Sequence, residues 1–315
     1  MKIEGSTSEA IKIKRGVRRG CLLSPLLFNI YSEAIFREAL EGIEYGIKIN
    51  GKIINNIRYA DDTVVLAESA QDLQGLMNQI VRHSENSGLL INTTKTKVMA
   101  FTKTHMRVHL VIDDAVVEQV SSYKYLGSIM NDQCDPKKEV RSRIEQARKT
   151  FISMRRFFVR SDLSLELRVR MVRCYIFSVL LYGCESWTLD TSMEKKIDAF
   201  EMYIYRRILR ISWVQRITNE EVLNRMRKKK ELLLTIKIRK TRYIGHIMRG
   251  EKYELLRLII EGKVQGKRSI GRRQNSWLKD IQRWFGCSSL DIFRMAVSRT
   301  TLAIWIANLR RETAS

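Results

Sequence analysis

Residues 57–65 read Ile57-Arg58-Tyr59-Ala60-Asp61-Asp62-Thr63-Val64-Val65, a polar centre between two apolar arms. Apolar and β-branched residues on both sides are typical of strands. The pattern predicts a β-hairpin over residues 57–60 and 63–67, with Asp61 and Asp62 at its tip. Two adjacent carboxylates repel each other, and a divalent cation relieves that repulsion by taking their oxygens as ligands. The alternative is a solvated Asp-Asp turn that holds no ligand.

A basic loop and a helix precede the hairpin. The loop is Gly16-Val17-Arg18-Arg19-Gly20, and Ser24-Pro25 follows it. Ser24 is predicted to be the N-cap, with Pro25 at the first helical position. Glycines let a ligand approach the backbone closely, and a helix N-terminus favours phosphate. The helix should end at Gly42 and carry one apolar stripe, formed by Leu26, Leu27, Ile30, Tyr31, Ala34 and Ile35.

A second helix and further strands follow the hairpin. Residues 69–87 predict a helix, in which Ser69 and Asp72 are spaced as a capping box. Residues 89–92 and 98–101 have the composition of strands, and residues 108–112 and 116–120 predict another hairpin that turns at Asp113-Asp114. The first part of the chain therefore mixes helices and strands.

Charge and composition change near residue 135. The chain has 57 Lys and Arg against 34 Asp and Glu, a formal net charge of +23, and residues 1–135 hold 16 of each sign. The whole excess therefore lies in residues 136–315, where the apolar spacing is helical throughout. We predict an α+β chain with a mixed region, 1–135, and an all-α basic region, 136–315. Such an excess attracts polyanions, nucleic acid above all; a solvated basic face, a ribosome-like role or a membrane-surface role is the alternative.

Four segments resemble, in order and spacing, motifs of the reverse transcriptases of non-LTR (LINE-type) retrotransposons. They are residues 16–28, the tetrapeptide Tyr59-Ala60-Asp61-Asp62, residues 88–99 with their Lys95-Thr96-Lys97, and Tyr123-Lys124-Tyr125-Leu126-Gly127. The phrase Leu181-Tyr182-Gly183-Cys184-Glu185-Ser186-Trp187 resembles their C-terminal region. The resemblance implies an incomplete polymerase palm, an antiparallel sheet with two helices, followed by a basic helical thumb and C-terminal region.

The resemblance also implies an activity and a role for each motif. The activity is RNA-directed DNA polymerisation, a metal-dependent nucleotidyl transfer to a primer 3′-hydroxyl. Asp61 and Asp62 would be the catalytic and metal-binding residues, the cofactor Mg²⁺ or Mn²⁺, and the partners an RNA template and a DNA primer or target. The implied nucleotide- and template-binding residues are Arg18, Arg19, Gly20, Ser24, Pro25, Tyr59, Lys95 and Lys97. The implied primer-binding residues are Tyr125, Leu126 and Gly127.

The sequence departs from the family pattern at the metal site. The family places another aspartate on a strand upstream of the Gly16 loop, where this sequence has Glu4 and Glu9 but no aspartate. Arg19 stands where the family usually has glutamine. We therefore expect a polymerase fragment with little activity alone, a missing N-terminal polymerase portion, and an exposed sheet edge beside the Tyr59 hairpin.

The basic region contains a second candidate contact surface. The segment 262–273 has three glycines and a run of cations, which predict a phosphate-contacting loop. Its predicted nucleic-acid-binding residues are Lys263, Lys267, Arg268, Arg272 and Arg273. Trp277 and Trp284 follow on one face of a helix, and that spacing favours core packing over base stacking.

Other features narrow the class of protein. Five cysteines without a CxxC pair predict no disulfide partner and a reducing compartment. No secretory signal is apparent, and the longest apolar run, 175–182, is too short to span a membrane. We expect a soluble protein of the nucleus or cytosol. Three interpretations stay open: a truncated polymerase, a non-catalytic nucleic-acid-binding protein, and the product of a decayed mobile element without a cellular role.

Overall fold

A computed structural model of the chain describes residues 2–3, 6–7, 20–102, 106–266 and 276–312. The chain forms two compact units. The N-terminal unit comprises Met1–Val98 and Arg107–Gln119, and the C-terminal unit comprises Met99–Met106 and Val120–Ser315. Helices and short strands mix in the first unit and helices dominate the second, so the predicted α+β class is confirmed. The division into functional regions at residue 135 stays a prediction.

The strands of the N-terminal unit are only two to four residues long. Its elements are β1 (Lys2–Ile3), β2 (Ser6–Thr7), α1 (Ser24–Leu40), β3 (Ile47–Ile49), β4 (Lys52–Ile54), β5 (Asn56–Tyr59), β6 (Asp62–Val65), α2 (Ala70–Asn86), β7 (Lys97–Val98), β8 (Val111–Ile112), β9 (Ala115–Val116) and β10 (Glu118–Gln119).

These strands pair two by two. Sequential neighbours form antiparallel hairpins, and β7 pairs with β10 in parallel. The expectation of one antiparallel sheet is therefore wrong for the described part of the chain. Tight turns join strands that are neighbours in sequence, so most strands pair with the adjacent strand in a hairpin. β5 and β6 pair only with each other among the described residues, and this leaves the outer edges of their hairpin without a ladder partner. That a missing upstream strand is the cause stays a prediction.

Helices α1 and α2 carry the core of this unit. Ser69 caps α2 as predicted, since its hydroxyl accepts a hydrogen bond from the backbone N–H of Asp72 at 3.0 Å. The capped helix buries one apolar face against the short strands. The core consists of Ala39, Met77, Ile80, Val98, Leu110, Ile112 and Val117.

Helix α1 buries a different face from the one predicted. Its buried residues are Ser24, Ser32, Ile35 and Ala39. Of the predicted stripe only Ile35 is buried, while Leu26 is 58%, Leu27 52% and Ile30 60% exposed. The helix is apolar on two sides, so hydrophobic spacing alone cannot decide which side packs. The helix also starts one residue earlier than predicted, with Leu23 at the N-cap and Ser24 inside the helix.

The C-terminal unit begins with one hairpin and continues in helices. Its elements are β11 (Ser122–Tyr125), β12 (Ser128–Asn131), α3 (Lys137–Ser153), α4 (Arg155–Phe158), α5 (Leu165–Met171), α6 (Ser178–Leu180), α7 (Thr191–Ile208), α8 (Asn219–Met226), α9 (Leu232–Arg249), α10 (Glu254–Ile260), α11 (Trp277–Phe285), α12 (Ser289–Val297) and α13 (Arg299–Glu312). A π-helical segment, Val172–Phe177, joins α5 to α6. Among the described residues, no helix has the length and apolarity that a membrane crossing requires.

Two apolar clusters form the core of this unit. The larger cluster gathers residues from α3 to α9, Phe151, Phe158, Phe200 and Tyr205 among them. The smaller cluster joins α9 to α11, α12 and α13. Trp277 packs on the smaller cluster and Trp284 on both, so their predicted core placement is confirmed.

Two buried polar contacts tie these helices together. Lys240 Nζ lies 2.6 Å from Asp280 Oδ2 and 2.7 Å from the carbonyl oxygen of Trp187, and Asp280 also accepts a bond from Leu189 N. Glu201 caps α9 from another helix, because its carboxylate accepts bonds from the backbone N–H groups of Glu231 and Leu232 at 2.8 and 3.1 Å. Lys240 and Glu201 are both 0% exposed.

Candidate functional site

The predicted hairpin is present, with its turn one residue earlier than predicted: Asp61 lies in the turn and Asp62 is the first residue of β6. Tyr59 stands opposite Asp62 in the register, so Ala60 and Asp61 form a two-residue turn. Ala60 has a φ of 53°, the conformation that glycine usually supplies at this turn position. Tyr59, Asp61 and Asp62 are all exposed, and the carboxylates are therefore accessible to a ligand.

Arg58 fastens the hairpin to helix α1. Its Nη2 lies 2.6 Å from Glu33 Oε2, and its Nη1 donates to the carbonyl oxygen of Ser32 at 3.4 Å. The guanidinium also lies 4.6 Å above the Phe36 ring centroid. The hairpin that carries the two acids is thus attached to the helix that begins at Ser24.

The described residues offer few ligands for a metal ion beside Asp61 and Asp62. Among the described residues, no group of three or more His, Cys, Asp or Glu side chains is placed to hold a metal ion. Mg²⁺ is commonly bound by one or two carboxylates, with water and substrate phosphates in its other positions. Asp61 and Asp62 supply those two carboxylates. A pair of ions stabilising both the attacking and the leaving oxygen needs more ligands than this.

The segment after α2 is shaped by Asn92. Its Oδ1 accepts bonds from Lys95 N at 3.0 Å and Thr94 Oγ1 at 2.7 Å, and its carbonyl oxygen accepts from Thr96 N at 2.9 Å. Lys97 Nζ lies 2.6 Å from Glu118 Oε2, so a phosphate at Lys97 would compete with that carboxylate. Lys95 is exposed.

The remaining predicted residues of the nucleotide-binding segment are placed unevenly. Gly20 has a φ of 82°, and a Cβ there would meet no atom within 4 Å. Ser24 is buried and Pro25 exposed. Arg18 and Arg19 lie outside the described residues. Of the predicted basic loop, Lys263 is described and exposed. The rest of that loop, Lys267, Arg268, Arg272 and Arg273, lies outside the described residues.

The turn between β11 and β12 is supported by Tyr182, from the segment 181–187, and by Arg143, which the sequence did not single out. Leu126 and Gly127 occupy this turn with φ values of 46° and 82°. Tyr182 Oη donates to the carbonyl oxygen of Leu126 at 2.8 Å, and the guanidinium of Arg143 donates to that of Gly127. Arg143 also lies 4.4 Å above the Tyr182 ring centroid. The two segments that resemble family motifs, 123–127 and 181–187, are therefore in contact.

A buried carboxylate completes this arrangement. Glu139 Oε1 accepts from Arg143 Nε at 2.7 Å, while Glu139 Oε2 accepts from the backbone N–H of Ile129 at 2.7 Å. Both side chains are less than a tenth exposed. Their i,i+4 spacing on α3 was visible in the sequence, but nothing local indicated that the pair would hold a turn ten or more residues away.

We expect Gly127→Ala to destabilise the C-terminal unit by about 1–2 kcal/mol from its positive φ alone. A further loss should come from the Tyr182 ring, whose Cε1 would lie 3.3 Å from the new Cβ. Urea unfolding would measure the change. Gly286→Ala is the matched control, because Gly286 has a φ of 62° and a Cβ added there would meet no atom within 4 Å. Equal losses in the two variants would show that Tyr182 does not confine the turn.

Comparison with known proteins finds relatives of this chain among mobile-element proteins. Residues 1–130 match the family model described as reverse transcriptase (RNA-dependent DNA polymerase). A transposon-derived protein of Caenorhabditis elegans is 24% identical over 280 residues, which is 85% of this chain and 100% of that protein. The polyprotein of the retrotransposable element R2DM of Drosophila melanogaster is 35% identical over 92 residues, 29% of this chain and 8% of that protein.

A third relative extends the similarity beyond the family match. The RNA-directed DNA polymerase from the mobile element jockey of Drosophila melanogaster is 23% identical over 233 residues, 70% of this chain and 25% of that protein. The chain thus spans all of the nematode relative but a quarter or less of the two insect proteins. These matches and the hairpin that carries Tyr59-Ala60-Asp61-Asp62 lead to one conclusion: residues 1–130 are a reverse transcriptase segment, and the chain is similar to the polymerases of non-LTR, LINE-type mobile elements.

Proposed function

We propose that this chain is the C-terminal part of an RNA-directed DNA polymerase that extends a DNA primer on an RNA template. Asp61 and Asp62 are the metal-binding and catalytic residues, with Mg²⁺ or Mn²⁺ as the cofactor. The supporting observation is that both acids stand exposed at the tip of a hairpin fixed to α1 by Arg58. A bound cation there would lower the charge of the incoming phosphates and of the reacting oxygens.

The N-terminal and C-terminal regions have different roles in the proposed function. Residues 1–135 are a partial palm with the acids, Tyr59 and the Lys95–Lys97 segment. Residues 136–315 are a basic thumb and C-terminal region that binds nucleic acid, and the charge supports this assignment because the whole excess of +23 lies there. The turn at Tyr125, Leu126 and Gly127 contacts the primer backbone, and its support from the buried Arg143 and from Tyr182 suits a contact that must keep its position.

The chain alone should synthesise little DNA. Asp61 and Asp62 are two carboxylates where two-metal catalysis needs further ligands. In addition, Leu26, Leu27 and Ile30 expose an apolar stripe on α1, and such a stripe is usually covered by another element. We propose that an upstream portion of the polymerase, bearing the missing aspartate strand and the fingers, covers it.

Primer extension tests this proposal directly. With Mg²⁺, an RNA template and an annealed DNA primer, the purified chain is expected to give little product. Addition of a polypeptide with the upstream palm and fingers of a related mobile-element polymerase should restore synthesis. Asp61→Asn should then abolish it, whereas Asp113→Asn, at the Asp-Asp turn of the β8–β9 hairpin, should leave it unchanged. Robust synthesis by the chain alone would refute the proposed inactivity and support the polymerase assignment.

Metal binding gives a second readout that needs no activity. Mn²⁺ titration followed by electron paramagnetic resonance is expected to detect a weak site in the wild type. That site should be lost in Asp61→Asn/Asp62→Asn and kept in Asp113→Asn/Asp114→Asn. The second pair is a matched control, since it also removes two adjacent acids from a hairpin turn. Equal losses in both variants would make Asp61 and Asp62 an ordinary solvated turn.

A non-catalytic nucleic-acid-binding protein derived from a mobile element is the second candidate function. The excess of basic residues in the C-terminal region favours it independently of the hairpin. Its signature would be binding that weakens by about 0.7–0.9 log units per log unit of salt for each phosphate contacted, without any Mn²⁺ site at Asp61.

A further inference from the structure

A groove lined by arginines lies between two helix ends of the C-terminal unit. It has a volume of about 340 Å³ and is lined by Arg155, Val159, Arg207, Arg210, Ile211 and Ser212. Arg155 opens α4, while Arg207 and Arg210 lie at the end of α7 and just beyond it. Three cations and no acid therefore face one concave surface, and this arrangement suits an anion.

Two of the three guanidinium groups, those of Arg207 and Arg210, contact neighbouring groups of the chain. Arg210 donates from Nε to the carbonyl oxygen of Val159 at 3.0 Å, and its own backbone has a φ of 55°. Arg207 lies 5.4 Å above the Tyr203 ring centroid. A cation fixed in this way loses less conformational entropy when it binds.

Asp162 is the acidic residue closest in sequence to Val159, and it already forms an ion pair. Asp162 Oδ1 lies 2.9 Å from Arg160 Nε, and this ion pair leaves the charge of the lining arginines uncompensated by that carboxylate. Helix dipoles would account for single arginines near the ends of α3 and α7. They do not account for the convergence of Arg155, Arg207 and Arg210 on one concave surface.

We propose that this groove binds a phosphodiester of a nucleic-acid strand, with Arg155 and Arg207 as forked donors to the phosphate oxygens. Guanidinium groups pair with phosphate through two parallel hydrogen bonds. A contact of this kind positions a strand and reads no bases, so RNA and DNA of any sequence should use it. The inference deepens the proposed function, on which it rests, by locating one of the contacts of the basic region.

The test compares three double variants of the full chain. Fluorescence anisotropy would follow the binding of a labelled single-stranded RNA and of the DNA of the same sequence. Arg155→Gln/Arg207→Gln removes the groove cations and retains Arg210, whose side chain bonds Val159. Arg294→Gln/Arg299→Gln removes two exposed cations from α12 and α13 and is the charge-matched control. Arg155→Lys/Arg207→Lys keeps the charge and removes the forks.

The groove variant is expected to bind at least about tenfold more weakly, with a salt slope smaller by about 1.4 units for two lost contacts on a single strand. The lysine variant should lose part of this affinity, and the control pair should change it less than about threefold. Equal weakening by the groove and control pairs would overturn the proposal, as would lysine replacements without effect, since both results indicate a general positive field.

The outcomes also separate this inference from the proposed function. A wild-type chain that binds with steep salt dependence, together with a groove variant that binds equally well, refutes the groove and leaves the polymerase assignment standing. A wild-type chain that binds neither RNA nor DNA refutes both. Tryptophan fluorescence spectra that match the wild type would confirm that each variant is folded.

Discussion

Lys240→Met is expected to destabilise the C-terminal unit by about 3–5 kcal/mol, the cost of removing one member of a buried ion pair. Lys240 is 0% and Asp280 3% exposed at the side chain, and 2.6 Å separates their charged atoms. Methionine fills the space of the lysine stem but leaves the carboxylate of Asp280 and the carbonyl oxygen of Trp187 without their common donor. The loss of stability therefore comes from the buried carboxylate of Asp280, which is left without its cation.

A second substitution tests that explanation. In Lys240→Met/Asp280→Asn the buried charge is gone, and the amide oxygen can still accept the backbone N–H of Leu189. The double variant should therefore be more stable than Lys240→Met alone, by at least about 1 kcal/mol. All five tryptophans lie in the C-terminal unit, so urea unfolding followed by tryptophan fluorescence reports on this unit. Additive losses from the two changes would refute a coupled pair.

The second large effect concerns the pH dependence of stability. Burial raises the pKa of Glu201 from its ordinary 4.5 to about 6, against the opposing bonds from Glu231 N, Tyr205 Oη and Leu232 N. Between these pH values the folded state holds the proton more tightly than the unfolded chain. The stability that Glu201 contributes is thus fully present below about pH 4.5 and is lost as pH rises through about 6. The difference amounts to about 2 kcal/mol.

A glutamine at this position isolates the effect. We expect the stability difference between the wild type and Glu201→Gln to shrink by about 2 kcal/mol from pH 4.5 to pH 7, because the variant has no proton to lose. Urea unfolding at half-unit pH intervals measures it. Glu220→Gln, which removes an exposed carboxylate from α8, controls for the loss of one acid. A wild-type curve that stays parallel to the Glu201→Gln curve would show that Glu201 keeps one protonation state over this range.

Several features could be predicted from the sequence because residues close together in the chain determine them. The hairpin at Asp61 and Asp62 follows from a polar turn between β-branched arms, and the cap at Ser69 follows from a hydroxyl that reaches the backbone three residues later. A cap of the same kind separates the last two helices: Ser298 Oγ accepts from Thr301 N at 3.2 Å, at the boundary between α12 and α13.

Other predictions stay open for reasons that differ from site to site. The roles of Asp61, Asp62, Tyr59 and Lys95 need a bound ligand to test them. Lys97 forms an ion pair with Glu118 across 21 residues of sequence, so a phosphate would compete with that carboxylate. No local sequence pattern predicts a partner at that separation.

The sequence by itself determined the similarity to non-LTR reverse transcriptases, the hairpin with its two acids, the helical basic region and the local caps. Only the tertiary structure decided which side of α1 is buried, which helix supplies the cap of α9, and how Arg143 and Tyr182 support the turn at Gly127. The reason is the range of the interactions. Turns and caps depend on residues three or four apart, whereas Glu201 meets Leu232 across 31 residues and Lys240 meets Asp280 across 40. Such partners are chosen by packing, after the local structure has formed.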